Sequence, residues 1–102
     1  MSRATEVAKV FSSIDDTRTM KTLFEEIFTP AEIQDVALRW QLMTMLHQGI
    51  PQRQIASELG ISLCKITRGA KIIKNQRSAT RRLLDERFGE CHAKLREKAQ
   101  CT

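Results

Sequence analysis

The sequence predicts an all-α protein of six helices, on three observations. Breakers are scarce: 102 residues hold four Gly and two Pro, and no stretch keeps up strict apolar–polar alternation. Between the breakers, apolar residues recur at i, i+3, i+4 and i+7, the spacing of one helix face. The apolar stripes on the first, third and sixth segments are also broader than one short chain would hide, which a homodimer sharing its core would resolve. The length bounds the chain to one domain, taken as 1–102, with a modest core for its surface.

Each helix has its own warrant. Val7, Val10, Phe11 and Ile14 predict a first helix ending near Asp15 and Asp16, and Met20, Leu23, Phe24, Ile27 and Phe28 predict a second. TPAE, residues 29–32, opens the third. Thr29 is its N-cap, Pro30 takes the first helical position where its missing N–H costs nothing, and Glu32 completes a capping box. The helix continues through Ile33, Val36, Ala37, Trp40, Met43 and either Leu46 or His47, with Gly49 just past its end. A short fourth helix covers about residues 51–59, and a fifth runs from Ser62 as N-cap to about Lys74. The sixth carries Leu83, Leu84, Phe88, Cys91 and Leu95, with Gly89 as a weak point inside it.

Several function classes are argued against. Arg3, Glu6 and Lys9 interrupt the amino terminus, and no apolar run approaches a membrane span, so the expected compartment is cytoplasmic. Cys64, Cys91 and Cys101 are odd in number and form no CxxC pair, which predicts free thiols. Cys91 and His92 are neighbours that point apart on a helix, so no metal site is expected. His47 and His92 have no recognisable nucleophile or acid partner, and there is no glycine-rich phosphate loop; the chain does not read as an enzyme.

Charge gives a positive signal. Seven Lys or Arg and no Asp or Glu lie between Leu59 and Leu84, namely Lys65, Arg68, Lys71, Lys74, Arg77, Arg81 and Arg82. They exceed the whole net charge of +5 and leave the rest of the chain at −2. A solvated helix face usually alternates its signs; this one does not, which favours a polyanionic partner.

Within this region, QIASELGISLCKITRGAKII, residues 54–73, stops one helix at Gly60 and starts another at once. Ile55, Ala56 and Leu59 before the glycine, with Ile61, Ile66 and Gly69 after it, form a helix-turn-helix pattern. A glycine suits such a turn because the chain takes a positive φ there. Residues 52–75 are therefore expected to be a DNA reading head. With Ile66 and Ala70 inward, the outward set is Ser62, Leu63, Cys64, Lys65, Thr67, Arg68 and Lys71, while Gln52 and Arg53 open the preceding helix where the backbone is contacted. Ser62 can offer N–H groups to a phosphate; Arg68 or Lys65 can read guanine, and Thr67 a thymine methyl or a base edge. Lys74, Arg77, Arg81 and Arg82 would extend the stripe. A plain αα-hairpin, or a module whose basic face binds an acidic protein, remains the alternative.

From Leu23 to Lys74 the sequence resembles the bacterial tryptophan repressor family. The resemblance rests on FTPAE (28–32), Arg39, Gln52 and Arg53, ELG (58–60), and ITRG (66–69) followed by Lys74. It implies a DNA-binding repressor, an intertwined homodimer joined through the first, third and sixth helices, and L-tryptophan as corepressor. It also implies an indole stacked between the guanidinium groups of Arg39 and Arg68, a ligand carboxylate on Arg68, and a ligand ammonium on the carbonyls of Glu26, Phe28 and Thr29. Gly69 would then admit the ligand close to the backbone. Lys65 stands where the family commonly has Thr, Ile72 where it has a Ser near the ligand's amino group, and the turn at residues 49–52 is one residue shorter. These departures keep open a regulator that binds DNA without a ligand or answers to another metabolite.

Overall fold

The structure, a computed structural model, describes residues 2–91. Among them lie six α-helices and no strand: α1 (Arg3–Ser12), α2 (Thr17–Ile27), α3 (Pro30–His47), α4 (Gln52–Leu59), α5 (Leu63–Lys74) and α6 (Ala79–Phe88). No helix among these residues is long and apolar enough to cross a membrane. Internal contacts divide the chain into two compact units, residues 1–36 and 37–102.

In the first unit, α1 stops at Ser12, short of the expected Asp15 and Asp16. The hydroxyls of Ser12 and Ser13 donate back to the carbonyls of Ala8 (2.7 Å) and Val10 (2.6 Å), bonds that suit a helix end. Asp16 belongs to the next helix: its carboxylate accepts the Thr19 N–H at 2.8 Å and caps α2. Phe11, Phe24 and Phe28 form an aromatic triangle with ring centroids 5.4–6.5 Å apart. No residue of α1 or α2 is buried, and Val7, Val10 and Ile27 are exposed.

The capping box of α3 is present in both directions. Thr29 N–H donates to Glu32 Oε1 at 2.9 Å, and Glu32 N–H donates to Thr29 Oγ1 at 3.2 Å. At the other end the N–H groups of Gly49 and Ile50 donate to the carbonyls of Leu46 (3.0 Å) and Met45 (3.1 Å), the paired closure of a Schellman motif. Leu46 and His47, between which the sequence pattern does not choose, are both buried.

The second unit is built around Leu42, Met45 and Leu46 of α3, Ile55 of α4, Ile66, Ala70 and Ile73 of α5, Leu84 of α6, and Cys91. Gly60 ends α4 at φ +63°, a left-handed conformation costly for any side chain. Ser62 restarts the chain, its hydroxyl oxygen accepting the Lys65 N–H at 3.4 Å. Gly69, which is buried, is a glycine for a different reason. A Cβ there would lie 3.0 Å from Leu46 Cδ1 and 3.4 Å from both Leu42 Cδ2 and Met43 Sδ, so its absence lets α5 approach α3.

Helix α6 corrects one expectation. It stops at Phe88, because Gly89 leaves the helix at φ +86° and ψ −159°. Cys91 is buried beyond the helix end, Leu83 and Phe88 are exposed, and only Leu84 of the predicted stripe is buried within the helix. Leu95, His92 and Cys101 lie outside the described residues.

Two outcomes follow from this packing. Gly69→Val should lower the stability of the folded chain by about 2 kcal/mol in urea unfolding, since the added atoms meet three core side chains at once. The Thr19 backbone N–H, and then its hydroxyl, hold the Asp16 carboxyl below the usual carboxylate range. A depressed folded value contributes stability above the unfolded pKa and loses it as pH falls through the folded one. Circular dichroism should therefore show α2 fraying below about pH 4, and Asp16→Asn, which caps without titrating, should remove that component.

Candidate nucleic-acid interface

Helices α4 and α5 pack on each other across a three-residue turn. What seats α5 is one face: Ile66 and Ile73 are fully buried, with Gly69 and Ala70 between them. Helical periodicity then forces the other face outward. Ser62, Leu63, Cys64, Lys65, Thr67, Arg68, Lys71 and Lys74 are all exposed. These eight expected DNA contacts thus share the outer side of one helix and its cap. On α4, Arg53 is exposed and Gln52 half-buried.

Local chemistry tunes this surface. The first turn of α5 contains no acid and its last turn contains Lys71 and Lys74. The positive end of the helix dipole therefore stays open to an anion, and the cations complement the negative end. The Thr67 hydroxyl donates to the Leu63 carbonyl at 2.9 Å, which leaves its methyl and an oxygen lone pair for an outside partner. Glu58, the acid nearest in sequence, accepts from Gln54 Nε2 at 2.9 Å on α4. Cys64 is a free, exposed thiol on the same face.

Arg81 corrects the expected stripe. It is largely buried, and its Nη1 donates to the carbonyls of Ile73 (3.3 Å) and Lys74 (3.5 Å), closing the C-terminal end of α5. Arg77 and Arg82 are exposed.

The residues expected to hold a ligand are less uniform. Arg39 and Arg68 are exposed and Ile72 is half-buried. Gly69 is accounted for by its contact with α3. Glu26 and Thr29 are exposed in the first unit, and Phe28 is half-buried in its aromatic triangle.

One polar constellation was not visible in sequence. His47, expected to lack an acid partner, is buried with Nε2 2.7 Å from Asp85 Oδ1, and Arg81 Nε lies 3.9 Å from Asp85 Oδ2. The i, i+4 spacing of Arg81 and Asp85 was the only local signal; His47 is 38 positions away. No group of His, Cys, Asp and Glu suited to a metal occurs among the described residues.

The profile of the family described as Trp repressor protein matches residues 3–87. The chain is similar to proteins named Trp operon repressor homolog in several bacteria. It is 40% identical over 63 residues to that of Xylella fastidiosa, covering 61% of this chain and 68% of the relative. Against that of Chlamydia trachomatis it is 33% identical over 64 residues, covering 62% and 68%. Against that of Actinobacillus succinogenes it is 35% identical over 66 residues, covering 55% and 65%. No solved structure matches the chain. With the match running from the start of α1 into α6, the chain belongs to the Trp repressor protein family, one of DNA-binding regulators and not of enzymes.

Proposed function

We propose that the chain is a homodimeric transcriptional repressor of tryptophan-related genes that binds operator DNA through α4 and α5 and takes L-tryptophan as corepressor. The observation that carries the DNA part is the outer face of α5. Lys65, Arg68 and Lys71 stand exposed, no acid interrupts them, and buried Ile66 and Ile73 anchor the helix behind them. A cationic helix seated this way suits a major groove, with Arg68 or Lys65 reading bases and Lys71 and Arg53 neutralising phosphates.

The dimer is supported by what the single chain leaves uncovered. Helices α1 and α2 have no fully buried residue, and Val7, Val10, Ile27, Val36, Trp40, Leu83 and Phe88 are exposed. This many exposed large apolar side chains, Val36 and Trp40 of α3 among them, suit burial against a second copy. Two copies would present their α5 helices to successive major grooves about 34 Å apart.

For the ligand, the reading rests on the family and on two exposed guanidinium groups, Arg39 and Arg68. Stacking of an indole on such groups contributes roughly 0.5–2 kcal/mol, and Arg68 supplies the partner for a carboxylate. Ligand binding shifts DNA affinity only through its differential affinity for the DNA-competent form.

The deciding experiment is operator binding with and without L-tryptophan at fixed ionic strength, paired with calorimetric titration of the amino acid. Tighter DNA binding and measurable heat are expected. DNA binding that ignores L-tryptophan, with no heat at millimolar ligand, would leave a ligand-independent regulator. Two variants separate the roles. Arg68→Ala should weaken ligand and DNA binding together, by about tenfold or more for DNA. Lys71→Ala should weaken DNA binding alone and reduce the salt slope by about 1.

A further inference from the structure

We propose that His47, Asp85 and Arg81 form a positioning network for DNA recognition, holding the C-terminal end of α5 in register with α3 and α6. This rests on the DNA-binding reading above and extends it to residues that touch no DNA.

His47 is the last residue of α3 and is only 1% exposed, in a core otherwise apolar. An aliphatic side chain would fill the same space without the cost of burying a polar ring. What an imidazole adds is direction: its Nε2–H donates to the Asp85 carboxylate across 2.7 Å, and that bond has one good geometry. The other oxygen of Asp85 faces Arg81 Nε at 3.9 Å. Arg81 in turn donates through Nη1 to the carbonyls of Ile73 and Lys74, the last two residues of α5. One continuous polar chain therefore runs from the end of α3, through one turn of α6, to the end of the reading helix.

Two details mark the chain as more than general stabilisation. Arg81 is a cation withdrawn from the exposed basic set to tie down α5 from behind. The network is also lopsided: Asp85 is 42% exposed, so solvent can take over its charge if His47 is lost. Removing one partner is costly when it strands the other in the core; Asp85, open to water, is not stranded, so an apolar side chain in place of His47 is expected to cost little stability. A network kept under those terms contributes uniqueness of position, which a groove-reading helix needs and a mere core does not.

The test uses the full chain, with and without L-tryptophan, on the promoter duplex that the wild type prefers and on a scrambled duplex of equal length. His47→Leu should keep helix content and melting temperature at or above the wild-type values. It should nevertheless lose about tenfold in affinity for the preferred duplex, with affinity for the scrambled duplex unchanged because the phosphate contacts remain. His47→Gln, whose amide can donate to Asp85, should recover most of the loss. Asp85→Ala should reproduce the loss and, unlike His47→Leu, also lower the melting temperature, because it leaves the buried His47 Nε2 without its acceptor. The network's role is overturned if His47→Leu discriminates between the duplexes as the wild type does. It is equally overturned if a lost affinity follows lost helix content and returns in neither cooler solution nor His47→Gln. A wild type with no preference for any duplex removes the DNA reading itself, and this role with it.

Discussion

Everything the outer face of α5 can do depends on how closely its inner face lies against α3. Gly69 sits where any side chain would meet Leu46, Leu42 and Met43, and fully buried Ile66 and Ile73 lie one turn to either side. Two fully buried isoleucines contribute on the order of 2–3 kcal/mol each, and the glycine sets the spacing at which they do so. A helix clamped along one side has no freedom to roll, so the residues between the clamps point outward by geometry alone. Lys65, Arg68 and Lys71 owe their exposure to that clamp.

Charge is distributed to suit the same helix. Its amino-terminal turn lacks acids, its carboxyl-terminal turn carries Lys71 and Lys74, and Arg81 covers the last carbonyls from α6. Each cation lies near partial negative charge or open solvent, so the stripe adds little repulsion to the folded chain while staying available to phosphates. Arg81 differs from its neighbours because α6 turns it toward α5. Seven cations that look alike in sequence are therefore not one surface.

The first unit follows another logic. Its helices are well terminated, with Ser2, Asp16 and Thr29 each accepting a backbone N–H, yet α1 and α2 bury no residue. Good local capping with only half-buried contacts, those of the aromatic triangle, suits elements that gain a packing partner from a second copy. The proposed homodimer would provide that partner, and would make the stability of α1 and α2 depend on protein concentration.

The sequence alone determined the number and order of the helices, the capping box at Thr29, the break at Gly60 and the inward pair Ile66 and Ala70. Each of these is written within a few residues, as a periodicity or a cap. The outward basic face was legible too, because a helix with one apolar side has only one other side to offer. Helix ends proved less legible: α1 stopped early once Asp16 was taken by α2, and α6 stopped at Gly89, where a backbone angle and not a pattern decides. Tertiary structure alone decided that Gly69 belongs to the contact with α3, that Arg81 faces inward, and that His47 meets Asp85. Those outcomes join residues up to 38 positions apart, and no local periodicity encodes which distant side chains two packed helices will bring together.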